Sequence, residues 1–417
     1  MKPRNPLYPW TPVILGIAVC AIPAQGQFTN GHIVALQVGD GTTGITDAAQ
    51  PIFMDEYDLS AGVMLGGPHA LPSFGLSAVT LTGVNDGHDG LLRLSSNGQY
   101  LTLGGYRADA GSANPVNYSA ADVNRVIARI DSHWIADTST ALNSAYDHTN
   151  ICAVVSDTGQ RFWTAGSGSY TDLVNGPPPD FTVATTSGGL RYVSGVGATS
   201  SLNISQTQTL GGPLQPDSMR GARIANGQLY ITTASHESFG NRGAFATTDP
   251  LPTSGPQTMI PIINNTEGSG SDPTGKNYPK SDAVFLDLNP AVPGIDTIYS
   301  TGGKADYEKW SLVNGTWIKF SDKKSLVNSS EEINALEAIV NGSTVTLFGA
   351  TDGGIYKLVD TNGWNADFSS TFPGSYFIAA PAGTQFRGIA VVPEPVSVLL
   401  MALGGAVVIR PRRARKA

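Results

Sequence analysis

One unit recurs five times between residues 90 and 354: a short apolar strand, a turn holding a glycine, and a second short strand. It reads GLLRLSSNGQYLTLGG at 90–105, ICAVVSDTGQRFWTAGSG at 151–168 and GARIANGQLYITTAS at 221–235. It returns as AVFLDLNPAVPGIDTIYSTGG at 283–303, with a longer turn, and as LEAIVNGSTVTLFGATDGG at 336–354. Gly98, Gly159, Gly227, Gly294 and Gly342 mark the five turns. Asn-Gly between apolar strands suits a type I′ turn, whose two central residues both need positive φ. Each unit therefore predicts a β-hairpin.

A second pattern follows three of these units. ARIDSHW (128–134), WSLVNGTW (310–317) and YKLVDTNGW (356–364) each show an apolar strand, a polar turn and a tryptophan expected to open the next strand. Two successive hairpins make a four-stranded sheet, the repeating unit of a β-propeller. A sixth inner strand is expected in FRGIAVVP (386–393), whose Arg-Gly start matches MRGARIAN (219–226). HIVALQVGD (32–40) and PIFMDEYDLSAG (51–62) supply two strands with no inner hairpin. Pairing these N-terminal outer strands with the C-terminal inner strand closes the ring and hides both edges. The expected fold is all-β: a propeller of six four-stranded blades, with seven as the second choice.

Both ends differ from this body. Lys2 and Arg4 precede an apolar run, VILGIAVCAI, and then PAQG. That order is a secretory signal peptide, spanning 1–26. Val19 is too bulky for a lipoprotein signal at Cys20. The propeller then spans 27–392, and 393–417 is a tail. There, fourteen apolar residues (396–409) are too few for an ordinary membrane-spanning helix, and Arg410, Arg412, Arg413, Arg415 and Lys416 follow them. Such a segment meets the membrane transiently. Without the two ends the body keeps 18 basic and 32 acidic residues, a balance of −14. An acidic body offers no positive field to nucleic acid. It keeps one cysteine, Cys152, so no intramolecular disulfide forms, and the ICAVV context makes it a core residue.

Pro393, Glu394 and Pro395, the apolar stretch and the terminal arginines resemble a PEP-CTERM sorting signal. The resemblance implies export from a Gram-negative or related bacterium, recognition and cleavage near Pro393–Pro395 by an exosortase, and release to the cell surface, outer envelope or extracellular matrix. The blocks VALQVGDG, FMDEYDLSAG, DGLLRLSSNGQYLTLGGY and NGSTVTLFGATDGG also resemble a group of exported bacterial propeller-like proteins, a likeness that implies no particular activity.

Aligning the repeats brings Asp89, Asn150, Arg220, Asp282, Glu337 and Arg387 to similar places, where inner strands begin at one mouth of the channel. Mixed charges there suit a sugar, a carboxylate or a metal ion, and they equally suit one another. The loop NDGHDG offers Asn85, Asp86, His88 and Asp89 as oxygen-rich candidates for calcium, though without EF-hand spacing. No other cofactor is expected. HESFG (236–240) lacks the second histidine of a zinc-protease helix. Gly-x-Ser-x-Gly, P-loop and Cys-x-x-Cys motifs are absent. Two Pro-, Gly- and Asn-rich stretches, 108–122 and 249–280, predict long loops, with TMIPII of the second adding a strand to the third blade.

Three functions fit this sequence. The leading one is a surface or matrix binding propeller whose partner is an extracellular polysaccharide or a surface protein. The second is an extracellular lyase, hydrolase or lactonase-like enzyme working through channel-mouth carboxylates. The third is a purely structural surface protein. A propeller fold by itself does not choose among them.

Overall fold

The computed structural model describes residues 28–83, 89–167, 187–205, 219–233, 242–265, 281–301, 306–324, 331–369 and 373–392. The expected signal peptide, sorting tail and HESFG segment, and residues 84–88 of the NDGHDG loop, lie outside them.

Six four-stranded antiparallel sheets follow one another around a ring. Blade 1 holds Arg93–Leu94, Tyr100–Tyr106, Arg125–Asp131 and Ala136–Leu142. Blade 2 holds Ile151–Val155, Phe162–Gly166, Gly189–Val193 and Leu202–Asn203. Blade 3 runs from Met219–Ala225 through Gln228–Thr233 and Arg242–Thr247 to Met259–Asn265. Its last strand contains the expected TMIPII contribution. Blade 4 comprises Ala283–Leu286, Thr297–Thr301, Asp306–Val313 and Thr316–Lys324. Blade 5 comprises Ala335–Asn341, Thr344–Thr351, Gly354–Asp360 and Ile378–Ala379.

Blade 6 joins the chain ends. Gln385–Val392 is its inner strand and pairs with His32–Val38, from His32 opposite Val392 to Val38 opposite Gln385. Ile52–Asp58 and the short His69–Ala70 complete it outward. The ring closes where Gln385–Val392 packs on Arg93–Leu94 of blade 1. The expected fold and its closure are thus the observed ones. A small sheet of Ala49–Gln50 and Leu81–Thr82 was not foreseen.

Local chemistry decided the turns differently from one another. Asn226-Gly227 (φ 47° and 75°) and Asn314-Gly315 (φ 50° and 78°) have positive φ at both central residues, as a type I′ turn demands. In blade 5, Asn341 instead pairs with Thr344, so Gly342 (φ 60°) takes the first central position and alone needs positive φ. At Asn97-Gly98 only Gly98 is left-handed. The expected hairpins are all present, and strand register rather than the dipeptide sets each residue's place in the turn.

The tryptophan pattern needs correction. Only Trp317 lies in the strand it was expected to open. Trp134 sits in the turn itself, φ 62°, stacked on His69 with ring centroids 4.2 Å apart. Trp364 follows its strand in a loop and donates Nε1–H to the Leu312 carbonyl of blade 4, 3.2 Å away.

The core lies between neighbouring blades, because each sheet buries both faces against the next. Ile33, Ala35, Phe348, Ile355, Phe386 and Ile389 belong to one continuous cluster. Leu36, Leu81, Leu92, Leu101 and Leu103 belong to another. Cys152 is buried within blade 2, in the core position expected for it.

Candidate functional site

Inner strands start on one face of the ring, the leading face, and run through the channel. The six residues aligned from the repeats do not form one ring there; the structure divides them. Asp282 immediately precedes the inner strand of blade 4, and Glu337 lies within that of blade 5. Both meet two arginines that the sequence reading did not single out. Arg93 Nη2 is 2.5 Å from Asp282 Oδ1, and Arg93 Nη1 is 3.5 Å from Glu337 Oε1. Arg223 Nη1 donates to Glu337 Oε2 at 3.0 Å, and its Nη2 lies 3.5 Å from Asp282 Oδ2.

The backbone completes this network. Asp282 Oδ2 accepts from the Leu336 N–H at 2.8 Å, while Arg223 Nη2 donates to the Leu336 carbonyl at 2.6 Å. Arg93 Nε reaches the Ala222 carbonyl at 3.2 Å. Four charges from blades 1, 3, 4 and 5 thus lock together across the channel. Burial, then the charge of Arg223, lowers the pKa of Arg93. Burial acts the same way on Arg223, but Glu337 and Asp282 outweigh it and raise the guanidinium above its ordinary value. Both arginines stay charged. A cavity of about 100 Å³ beside them is lined by Arg93, Ser96, Ser156, Arg223 and Glu337. It has room for about three waters.

Asp89 and Arg387 form a second group. Asp89 Oδ2 accepts from the Thr82 hydroxyl at 2.9 Å and from the Thr82 N–H at 3.2 Å. Its Oδ1 lies 3.8 Å from Arg387 Nη1. Burial pushes the Asp89 carboxyl up, and Arg387 opposes that shift. Arg387 also donates to the Gly83 carbonyl and to Gln385 Oε1, and its Nε is 3.5 Å from Asp352 Oδ1. Asn150 stands apart, accepting from the Tyr106 hydroxyl at 3.3 Å. Arg220 lies in the first strand of blade 3 and is partly exposed.

Of the four calcium candidates, Asp89 alone is described, and it is turned into the fold toward Thr82 and Arg387. Among the described residues, no group of three or more His, Cys, Asp or Glu is placed to hold a metal ion.

A signal for Arg93 and Arg223 was present in the sequence. Each interrupts an apolar inner strand shortly before its turn glycine, as Glu337 does in LEAIVNG. Charge at that point of an inner strand faces the channel.

A wider concavity opens on the leading face, away from the channel. It has a volume of about 420 Å³ and is lined by residues from 40–53, 73–74 and 110–111. Its walls come from the loops flanking blades 6 and 1, including the stretch 108–122 expected to be a long loop.

No family model and no curated protein matches this sequence. Several solved structures are similar in fold. The major allergen Mala s 1 of Malassezia sympodialis shares 11% identity over 78% of this chain and 90% of its own, with a TM-score of 0.40. The hydrazine synthase of Kuenenia stuttgartiensis shares 9% over 73% of this chain and 75% of its own, at 0.36. The Swd1 β-propeller domain of Myceliophteria thermophila shares 11% over 81% and 86%, at 0.32. A propeller fold by itself assigns no activity.

Proposed function

We propose that this chain is an exported six-bladed propeller that acts as a binding module at the cell surface or in an extracellular matrix. Its C-terminal tail is read by an exosortase-type system and discarded. One observation carries the binding role: the channel carboxylates Asp282 and Glu337 are engaged by Arg93 and Arg223, while the loops of the leading face leave an open cleft. A general acid or nucleophile needs a carboxyl group free to change its protonation or attack. Carboxylates held by two guanidinium groups instead brace the ring. The N-terminal signal pattern and the PEP-CTERM resemblance support export, and the acidic body favours neutral partners over anionic ones.

Two measurements test this reading. The secreted protein, screened on a glycan array with and without calcium and used in pull-downs from matrix material, is expected to retain a defined glycan or surface protein. Retention of nothing in either assay would overturn the binding role. The intact mass of surface-released protein is expected to end near Pro395. A mass that includes Arg412–Lys416 would overturn the sorting role.

A further inference from the structure

The leading-face cleft carries chemistry of its own. Its volume of about 420 Å³ falls within the roughly 300–1,000 Å³ typical of small-ligand clefts. The lining combines two aromatic rings, Phe53 and Phe74, with the polar side chains of Asp40, Thr43, Gln50 and Ser73. Phe74 is 65% exposed, so its ring face is open to a ligand. None of the lining residues is basic. Asp40 accepts from the Thr42 N–H at 2.9 Å and from its hydroxyl at 2.8 Å. Those bonds hold its pKa below the ordinary aspartate value, so the one charge in the lining is a carboxylate.

The walls are tied to each other by main-chain bonds. Ala49 N–H donates to Ser112 O at 2.9 Å, and Gly111 N–H donates to Ala49 O at 2.8 Å. Ala110 N–H donates to Ser73 O at 2.9 Å. Beside Phe74, the Gly75 N–H donates to Asp109 Oδ1 at 2.6 Å. Loops bonded in this way are set before a ligand arrives, which lowers the entropy lost on binding.

A ligand suited to this lining needs an apolar face for the rings, several neutral hydroxyl groups for the polar side chains, and no negative charge. A pyranose ring has all three properties. We infer that the cleft is a binding site for neutral saccharides, with Phe74 as the stacking surface and Asp40 as an acceptor that disfavours uronates. The inference rests on the binding-module reading and locates its contact residues.

Titration calorimetry on the full secreted protein tests it, with cellotetraose and maltotetraose as neutral probes and oligogalacturonate as the anionic comparator. At least one neutral probe is expected to bind in the millimolar range or tighter, and oligogalacturonate roughly tenfold more weakly. Phe74→Ala is expected to weaken the neutral probe roughly tenfold. Because Phe74 is mostly exposed, its melting temperature should match the wild type. Asp40→Asn is expected to narrow the gap between neutral and anionic probes. The site is overturned if neither neutral probe binds, if oligogalacturonate binds as well as the neutral probes, or if Phe74→Ala leaves affinity unchanged. Retention of a surface protein by wild type and Phe74→Ala alike would preserve the binding-module reading while removing this site.

Discussion

Lys309 Nζ lies 2.7 Å from Asp360 Oδ2, and neither side chain is reached by solvent. Lys309 belongs to blade 4 and Asp360 to blade 5, so the pair clamps two neighbouring sheets. Tyr299 adds a hydroxyl bond of 2.7 Å to the same carboxylate oxygen. Burial by itself would raise the pKa of Asp360, but bonds from Lys309 and Tyr299 outweigh it and hold the carboxyl below its ordinary 3.8. A depressed folded value stabilises the native state above pH 3.8, and that contribution disappears as pH falls through the folded pKa. Asp360→Asn should therefore cost on the order of 3–5 kcal/mol near neutrality, because it strands a buried ammonium. Urea unfolding across pH should show the wild type and this variant converging in acid. Replacing both residues by apolar ones (Lys309→Met with Asp360→Leu) should cost much less than the single change.

Asp55 predicts the opposite pH slope. It is fully buried in blade 6, where its Oδ2 accepts a long bond of 3.4 Å from the Tyr57 hydroxyl and its Oδ1 has no hydrogen-bond partner among the described residues. Burial pushes its pKa from 3.8 up to about 6, against the Tyr57 bond. Between those values the native state holds a proton that the unfolded chain has released, so stability falls as pH rises through that window. Asp55→Asn should stabilise the protein at pH 7 by about 1–3 kcal/mol, since one pKa unit corresponds to about 1.4 kcal/mol. The advantage should vanish below about pH 4. Thermal melts of both proteins at several pH values check this.

Ring closure depends on Gly388. A Cβ at that position would overlap the Gly90 carbonyl and the Leu92 amide of blade 1. Gly388→Ala should therefore push blade 6 away from blade 1 and destabilise the fold by roughly 1–3 kcal/mol. Equilibrium unfolding measures the loss, and limited proteolysis should show cleavage concentrated near the joined chain ends.

Glu337 separates a bracing channel from a working one. Glu337→Gln removes the carboxylate that Arg223 holds at 3.0 Å and leaves the buried Arg93 and the partly buried Arg223 sharing Asp282. Stability should drop by on the order of 3 kcal/mol. Retention of a glycan or surface partner should remain within about twofold of wild type, a change of less than 0.5 kcal/mol in binding. A large loss of binding with stability intact would return the ligand to the channel.

Much of the blade plan was legible in local sequence. The hairpins at Gly98, Gly159, Gly227, Gly294 and Gly342 could be read because a strand's alternation and a glycine's left-handed turn are properties of a few adjacent residues. The joining of HIVALQV to FRGIAVV could be read because two strand groups lacked complements at opposite ends of the chain. Trp134 and Trp364 could not be placed in this way. Their positions depend on rings and carbonyls that other blades bring to them.

The candidate site was legible only in fragments. Asp282 and Glu337 were singled out, yet their partners Arg93 and Arg223 come from blades 1 and 3, far away along the chain. The cleft is harder still to foresee, because Asp40, Phe74 and Gly111 sit in three separate loops with no shared motif. The sequence alone determined the repeating strand, the turn positions and the joining of the ends, since those follow from short-range backbone chemistry and apolar periodicity. Only the tertiary structure decided which charges neutralise each other and where an open surface remains, since those depend on contacts that exist only after the ring has closed.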